Sequence, residues 1–97
     1  MTDLNAMSIV SFDLTGQHTI KMVFADARVQ EINFRPVVGY GWMKELADPE
    51  YFAKVILNDG GNLEWPNGQD FNPEALYDWQ NFERLYVEEA ARSLKRA

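Results

Sequence analysis

Hydrophobic and polar residues alternate from Ser8 to Leu14, with Val10, Phe12 and Leu14 on one face and Ile9, Ser11 and Asp13 on the other. Period-two alternation of that length predicts a half-buried β-strand. After Thr15-Gly16-Gln17 the pattern returns: Ile20, Met22 and Phe24 face one way, and Thr19, Lys21 and Val23 the other. So short a connection joins antiparallel neighbours, and the two runs predict a hairpin. A tight two-residue turn at Asp26-Ala27 then leads to a third run carrying Val29, Ile32 and Phe34. Val29 and Ile32 differ in parity, which predicts a bulge, and Arg35-Pro36 ends the run because proline lacks a ladder donor. The first third of the chain is expected to be a three-stranded antiparallel meander.

The middle of the chain changes character. Val37 to Trp42 predicts a loop around two glycines, and Met43 to Leu46 a helical turn. Asp48-Pro49-Glu50 supplies an N-cap, a first-turn proline and an acidic residue at the positive end of the dipole, so a short helix follows through Phe52 and Ala53. Val55–Leu57 and Leu63–Trp65, separated by Asn58-Asp59-Gly60-Gly61, predict a second short hairpin. Asn72-Pro73-Glu74 repeats the capping arrangement and opens a long helix. In it Ala75, Trp79, Phe82, Tyr86, Ala90 and Leu94 recur every three or four residues as one apolar stripe, and Glu88 stands four residues before Arg92. The expected class is α+β: a meander, a second hairpin, one short helix and a long C-terminal helix. Residues 1–97 form one domain, with 8–77 as its core and 78–97 as a helical extension.

Composition narrows the chemistry. With 46% apolar and 13% aromatic residues the 97-residue chain can bury a core. It has no Cys, which excludes disulfides, thiolate metal sites and cysteine nucleophiles. Met1 to Asn5 carry neither a basic nor a long apolar signal segment, and no run approaches the ~20 apolar residues of a membrane span. A cytoplasmic location is the expectation. The net charge of −6 disfavours phosphate backbones and anionic membranes, so nucleic acid is not the expected partner of this chain alone.

The candidate catalytic groups lack their companions. His18, the one histidine, shares a face with Ile20, Met22 and Phe24, but metal and triad chemistry both need further ligands or partners. Ser8, Ser11 and Ser93 stand in no nucleophile elbow. Gly39-Tyr40-Gly41 begins like a dinucleotide fingerprint, but Lys44 occupies the place of its last glycine. Asp48, Asp59 and Asp70 sit at turns, where a short carboxylate caps backbone N–H groups. No catalytic residue, cofactor or metal is expected.

Four segments carry a resemblance: Val23-Phe24-Ala25-Asp26, Phe34-Arg35-Pro36, Leu46-Ala47-Asp48-Pro49-Glu50-Tyr51-Phe52 and Trp65-Pro66-Asn67-Gly68-Gln69-Asp70, closing with Ala75-Leu76-Tyr77. Their order and spacing over residues 8 to 77 resemble the bacterial domain of unknown function 2442 family. Ala27 departs from that family, which usually has a turn glycine there, and the helix after Tyr77 lies outside the resemblance. The resemblance implies a small α+β domain, found alone or beside DNA-binding modules, and often encoded next to a second small protein in pairs that look like toxin–antitoxin modules. It implies no established enzymatic activity.

Two functions fit these features. The first is a non-catalytic protein-interaction module, such as the antitoxin-like half of a two-gene pair. Seven strand residues span about 24 Å, whereas 22 helical residues from Pro73 to Leu94 span about 33 Å, so the helix should overhang the sheet. Its distal part, with Tyr86, Val87 and Leu94 among Glu83, Glu88 and Glu89, would meet a partner with a basic surface, or a second copy in a homodimer. The alternative is a regulatory domain that binds a small molecule near Tyr40, Trp42 and Trp65. An enzyme built on carboxylates alone has the least support.

Overall fold

Eight regular elements follow one another in a computed structural model that describes residues 7–38 and 41–95, with the backbone alone for 41–42 and 90–95. They are β1 (Ile9–Gly16), β2 (Thr19–Phe24), β3 (Val29–Asn33), α1 (Pro49–Phe52), β4 (Ile56–Leu57), β5 (Leu63–Glu64), α2 (Pro73–Tyr77) and α3 (Trp79–Lys95). Strands β1, β2 and β3 form the antiparallel meander, and β4 and β5 a second, two-stranded sheet. Two 3₁₀ segments, Arg35–Val37 and Gly41–Ala47, occupy most of what the pattern left as loop and helical turn. The fold is α+β.

In β2 the alternation holds: Ile20, Met22 and Phe24 are buried, and Lys21 is exposed. The bulge lies elsewhere than the pattern placed it. Strand β3 pairs with β2 in unbroken register from Val29↔Val23 to Asn33↔Thr19, so Gln30 and Ile32 face inward and Val29 faces solvent. The register shifts are in β1, one between Leu14 and Gly16 beside the hairpin turn and one where Ile9 stands opposite Phe24 and Ser11 opposite Val23. Val10 is the extra residue, and the slip brings Ile9 and Phe12 onto the same face despite their different parity. The buried partner of Phe12 is therefore Ile9, not Val10.

The β2–β3 turn also differs from the two-residue expectation. Phe24 and Arg28 close a three-residue loop, with Phe24 N donating to Arg28 O at 2.8 Å and Ala27 N to Phe24 O at 2.9 Å. A loop of this length ends in a left-handed residue. Ala27 takes that position, at φ 76°.

The long helix is two helices. Asp78, at φ −119° and ψ 47°, leaves helical geometry between α2 and α3. Aspartate competes for nearby hydrogen bonds with its own side chain. Here the Asp78 carboxylate accepts from Asn81 Nδ2 at 2.8 and 2.9 Å, and its carbonyl accepts Asn81 N at 3.0 Å. The Tyr77 carbonyl, released from the helical ladder, accepts Gln30 Nε2 at 2.9 Å. This break sends Trp79 inward, 5.7 Å from the ring of Phe34 and 6.4 Å from Phe71. Helix α3 thus runs against α2 and the Arg35–Val37 turn, not along the sheet as its stripe suggested. The core joins both sheets, with Phe24, Phe34, Phe52, Trp65 and Phe71 among its fully buried side chains.

Candidate functional site

The polar residues of the sequence motifs are occupied in holding the fold. Asp48 Oδ1 accepts Glu50 N at 3.0 Å and Asn72 Oδ1 accepts Glu74 N at 2.9 Å, each capping a helix that starts with proline. Trp65 is buried, and its indole Nε1 donates to the carbonyl of Phe52 at 2.8 Å, closing the end of α1. Tyr51 donates to Gln69 Oε1 at 2.7 Å and accepts Asn67 N at 3.0 Å. Asn67 Nδ2 reaches both oxygens of Glu45 at 2.7 and 2.8 Å, and Gln69 Nε2 reaches Glu45 at 3.2 Å. The turn after Trp65 is in this way clamped to the 3₁₀ segment that carries Glu45. Glu45 was not singled out from the sequence, because its only signal is a contact across 22 positions.

Residues 9–82 match the family described as protein of unknown function (DUF2442). The chain belongs to the DUF2442 family. The match runs past Tyr77 into the first turn of α3, and so includes Trp79 and Phe82. No curated protein and no solved structure matches the chain.

His18 is equally absorbed by the fold of this DUF2442 chain. It is buried, its Nε2 donates to the Ala47 carbonyl at 3.0 Å, and its ring lies 5.1 Å from that of Phe52. Among the described residues no group of three or more His, Asp or Glu is placed to hold a metal ion, and no helix is long and apolar enough to cross a membrane. Tyr40 and the side chain of Trp42 lie outside the described residues. A cleft of about 340 Å³ is found elsewhere, between Met7-Ser8, Gly60-Gly61 and the start of α2.

The surface of α3 is differently arranged from a single stripe. Tyr86 is half-buried, stacked on Trp79 with ring centres 5.4 Å apart and edge-on to Phe71 at 5.6 Å, and burial raises its phenol above the ordinary value. It closes the rim of the core and is not a free-standing anchor. Beyond it, Val87, Glu88 and Glu89 are exposed, as is Glu83. The side chain of Leu94 lies outside the described residues. Glu88 pairs with Arg84 Nε at 3.0 Å, four residues earlier, where Arg92 was the expected partner; the Arg92 side chain is not described. Leu85, which the stripe omits, is 59% exposed and Val87 36%. About 200° of helical turn separates these two, so they lie on opposite flanks of α3. Leu85 is one turn from Phe82 and Glu89, and Val87 one turn from Glu83.

Proposed function

We propose that this DUF2442 domain is a non-catalytic protein-interaction module whose partner presents a basic surface, as the antitoxin-like half of a two-gene pair would. The observation that carries this reading is the exposed surface of α3, where Leu85 stands beside Glu88 and Glu89 on one flank and Val87 beside Glu83 on the other. The motif polar groups described above are hydrogen-bonded within the fold, those of Asp48, Asn67 and Asn72 at an exposed surface, whereas the apolar side chains of Leu85 and Val87 are exposed, which makes this surface the strongest candidate for recognition. A net charge of −6 supports it: the field speeds encounter with a cationic protein, while apolar side chains supply the lasting contact.

The test compares three forms of the chain purified from its native host: wild type, Leu85→Ser/Val87→Ser, and Glu83→Lys/Glu88→Lys/Glu89→Lys. The expected result is a basic protein that co-purifies with the wild type, associates more slowly as salt rises and is lost from both variants, while all three melt alike. Retention by both variants would refute the α3 face. A metabolite that raises the melting temperature by binding the cleft beside Gly61 would instead favour a small-molecule regulator.

A further inference from the structure

Strand β1 is the longest strand of the meander and forms one of its two edges. The β2–β3 ladder fixes the direction of the backbone groups. Phe24 N donates to Arg28 O, and Phe34 N donates to His18 O at 2.7 Å. The even-numbered residues of β2 therefore turn their peptide groups toward β3. Antiparallel pairs alternate in this respect, so Lys21 and Val23 turn theirs toward β1, where they stand opposite Asp13 and Ser11. The peptide groups of Phe12 and Leu14 consequently point away from the sheet. At the start of the strand the edge is already closed, because Ile9 N donates to Gly61 O at 2.7 Å.

An open edge of this kind is normally blunted by charge, proline, a bulge, brevity or a covering element. Strand β1 has neither Lys nor Pro, its bulge at Val10 lies beside the end already closed by Gly61, and Asp13 is its one charge. Its Val10 and Leu14 are 56% and 42% exposed, and Phe12 is only partly buried. Strand β3, at the other edge, is shorter, carries the charge of Glu31, and is tied to α2 through Gln30.

We propose that β1 pairs antiparallel with β1 of a second copy of this chain, about a twofold axis at Phe12, to give a continuous six-stranded sheet. The outward peptide groups, unpaired among the described residues, call for an extended strand as occupant, and the sequence of β1 from Ser11 to Asp13 is complementary to itself in this register. Phe12 meets Phe12 of the second copy and Ser11 meets Asp13 on either side of it, while the bulge at Val10 ends the regular pairing before Leu14. Centring the axis on Asp13 would oppose two carboxylates. Centring it on Ser11 would set Leu14 against Ser8, whose carbonyl is already bonded to Ala25 N at 2.8 Å. A twofold self-pairing is the usual form of a small homodimer.

Sedimentation equilibrium of the full chain tests the register through Ser11, an exposed residue whose replacement leaves the core intact. Ser11→Lys would place two lysines beside Asp13 of the opposite copy and tighten the dimer; Ser11→Asp would place two carboxylates there and loosen it, each by roughly tenfold. Amide exchange should show Phe12 gaining protection as concentration rises, while Ser11 and Asp13 are protected throughout. A wild-type chain that stays monomeric at its highest soluble concentration would overturn the proposal. So would a dimer that responds to neither variant, or one in which the Phe12 amide exchanges freely.

Discussion

The hydroxyl of Tyr77 donates a hydrogen bond to the carboxylate of Asp26, joining the end of α2 to the β2–β3 turn across 51 positions of sequence. Arg28 reinforces the junction, with its guanidinium 4.9 Å from the centre of the Tyr77 ring. This bond, together with a backbone bond from Arg28, holds the Asp26 carboxyl below its ordinary value, and the same bond raises the Tyr77 phenol. Asp26 is a stronger acid folded than unfolded. Its contribution to stability is therefore complete above ~4 and is lost as the pH falls through the lowered folded value. Tyr77 has the opposite sign: its contribution is complete below ~10 and is lost as the pH rises through the raised folded value. Tyr77→Phe should unfold at lower urea than the wild type at neutral pH, and the gap should close on acidification. A gap that stays constant down to strongly acidic pH would show that the bond contributes nothing.

Ala27 occupies a left-handed position that costs a residue with a Cβ about 1 kcal/mol or more. Ala27→Gly should stabilise the fold by about 0.5–1 kcal/mol in chemical denaturation, the gain being reduced by the greater freedom of glycine in the unfolded chain.

Gly61 and Gly68 both have positive φ but differ in their surroundings. A Cβ on Gly61 would lie 2.9 Å from Ser8 Cβ, whereas one on Gly68 would meet nothing within 4 Å. Gly68→Ala should cost about 1 kcal/mol, from backbone strain alone. Gly61→Ala should cost about 2 kcal/mol or more, because the loop carrying the Gly61 carbonyl must also move away from β1. Equal melting temperatures for the two variants would contradict this account.

His18→Gln keeps a donor near the Ala47 carbonyl but loses the ring packed on Phe52. A stability loss of about 1–2 kcal/mol is expected, with partner binding unchanged. Stoichiometric zinc retained after dialysis by the wild type and not by the variant would point to a metal role for His18.

Much of this architecture could be read locally. The inward face of β2, the caps at Asp48 and Asn72 and the second hairpin each follow from residues within a few positions of one another. The failures have physical causes. Ile9 and Val10 are both apolar, so the alternation of β1 could be counted from either, and only pairing with β2 located the bulge at Val10. The stripe through Trp79 and Tyr86 continues from Ala75 without interruption, so nothing in its spacing announces that Asp78 breaks the helix. Tyr86 belongs to the core rim, and Leu85 was passed over because it lies off the stripe.

The sequence by itself determined the α+β class, the order of strands and helices, the lack of cysteine chemistry and the family, because these rest on short-range periodicity, capping residues, composition and ordered motifs. Only the tertiary structure decided that Trp65, Asn67, Gln69 and His18 serve the fold, that Asp26 meets Tyr77, and that the peptide groups of Phe12 and Leu14 point away from the sheet at its edge. Each of these depends on contacts between residues distant in sequence or on which strand is left without a neighbour. A hydrogen-bonding side chain looks the same in the sequence whether its partner is solvent, a ligand or a carbonyl dozens of residues away.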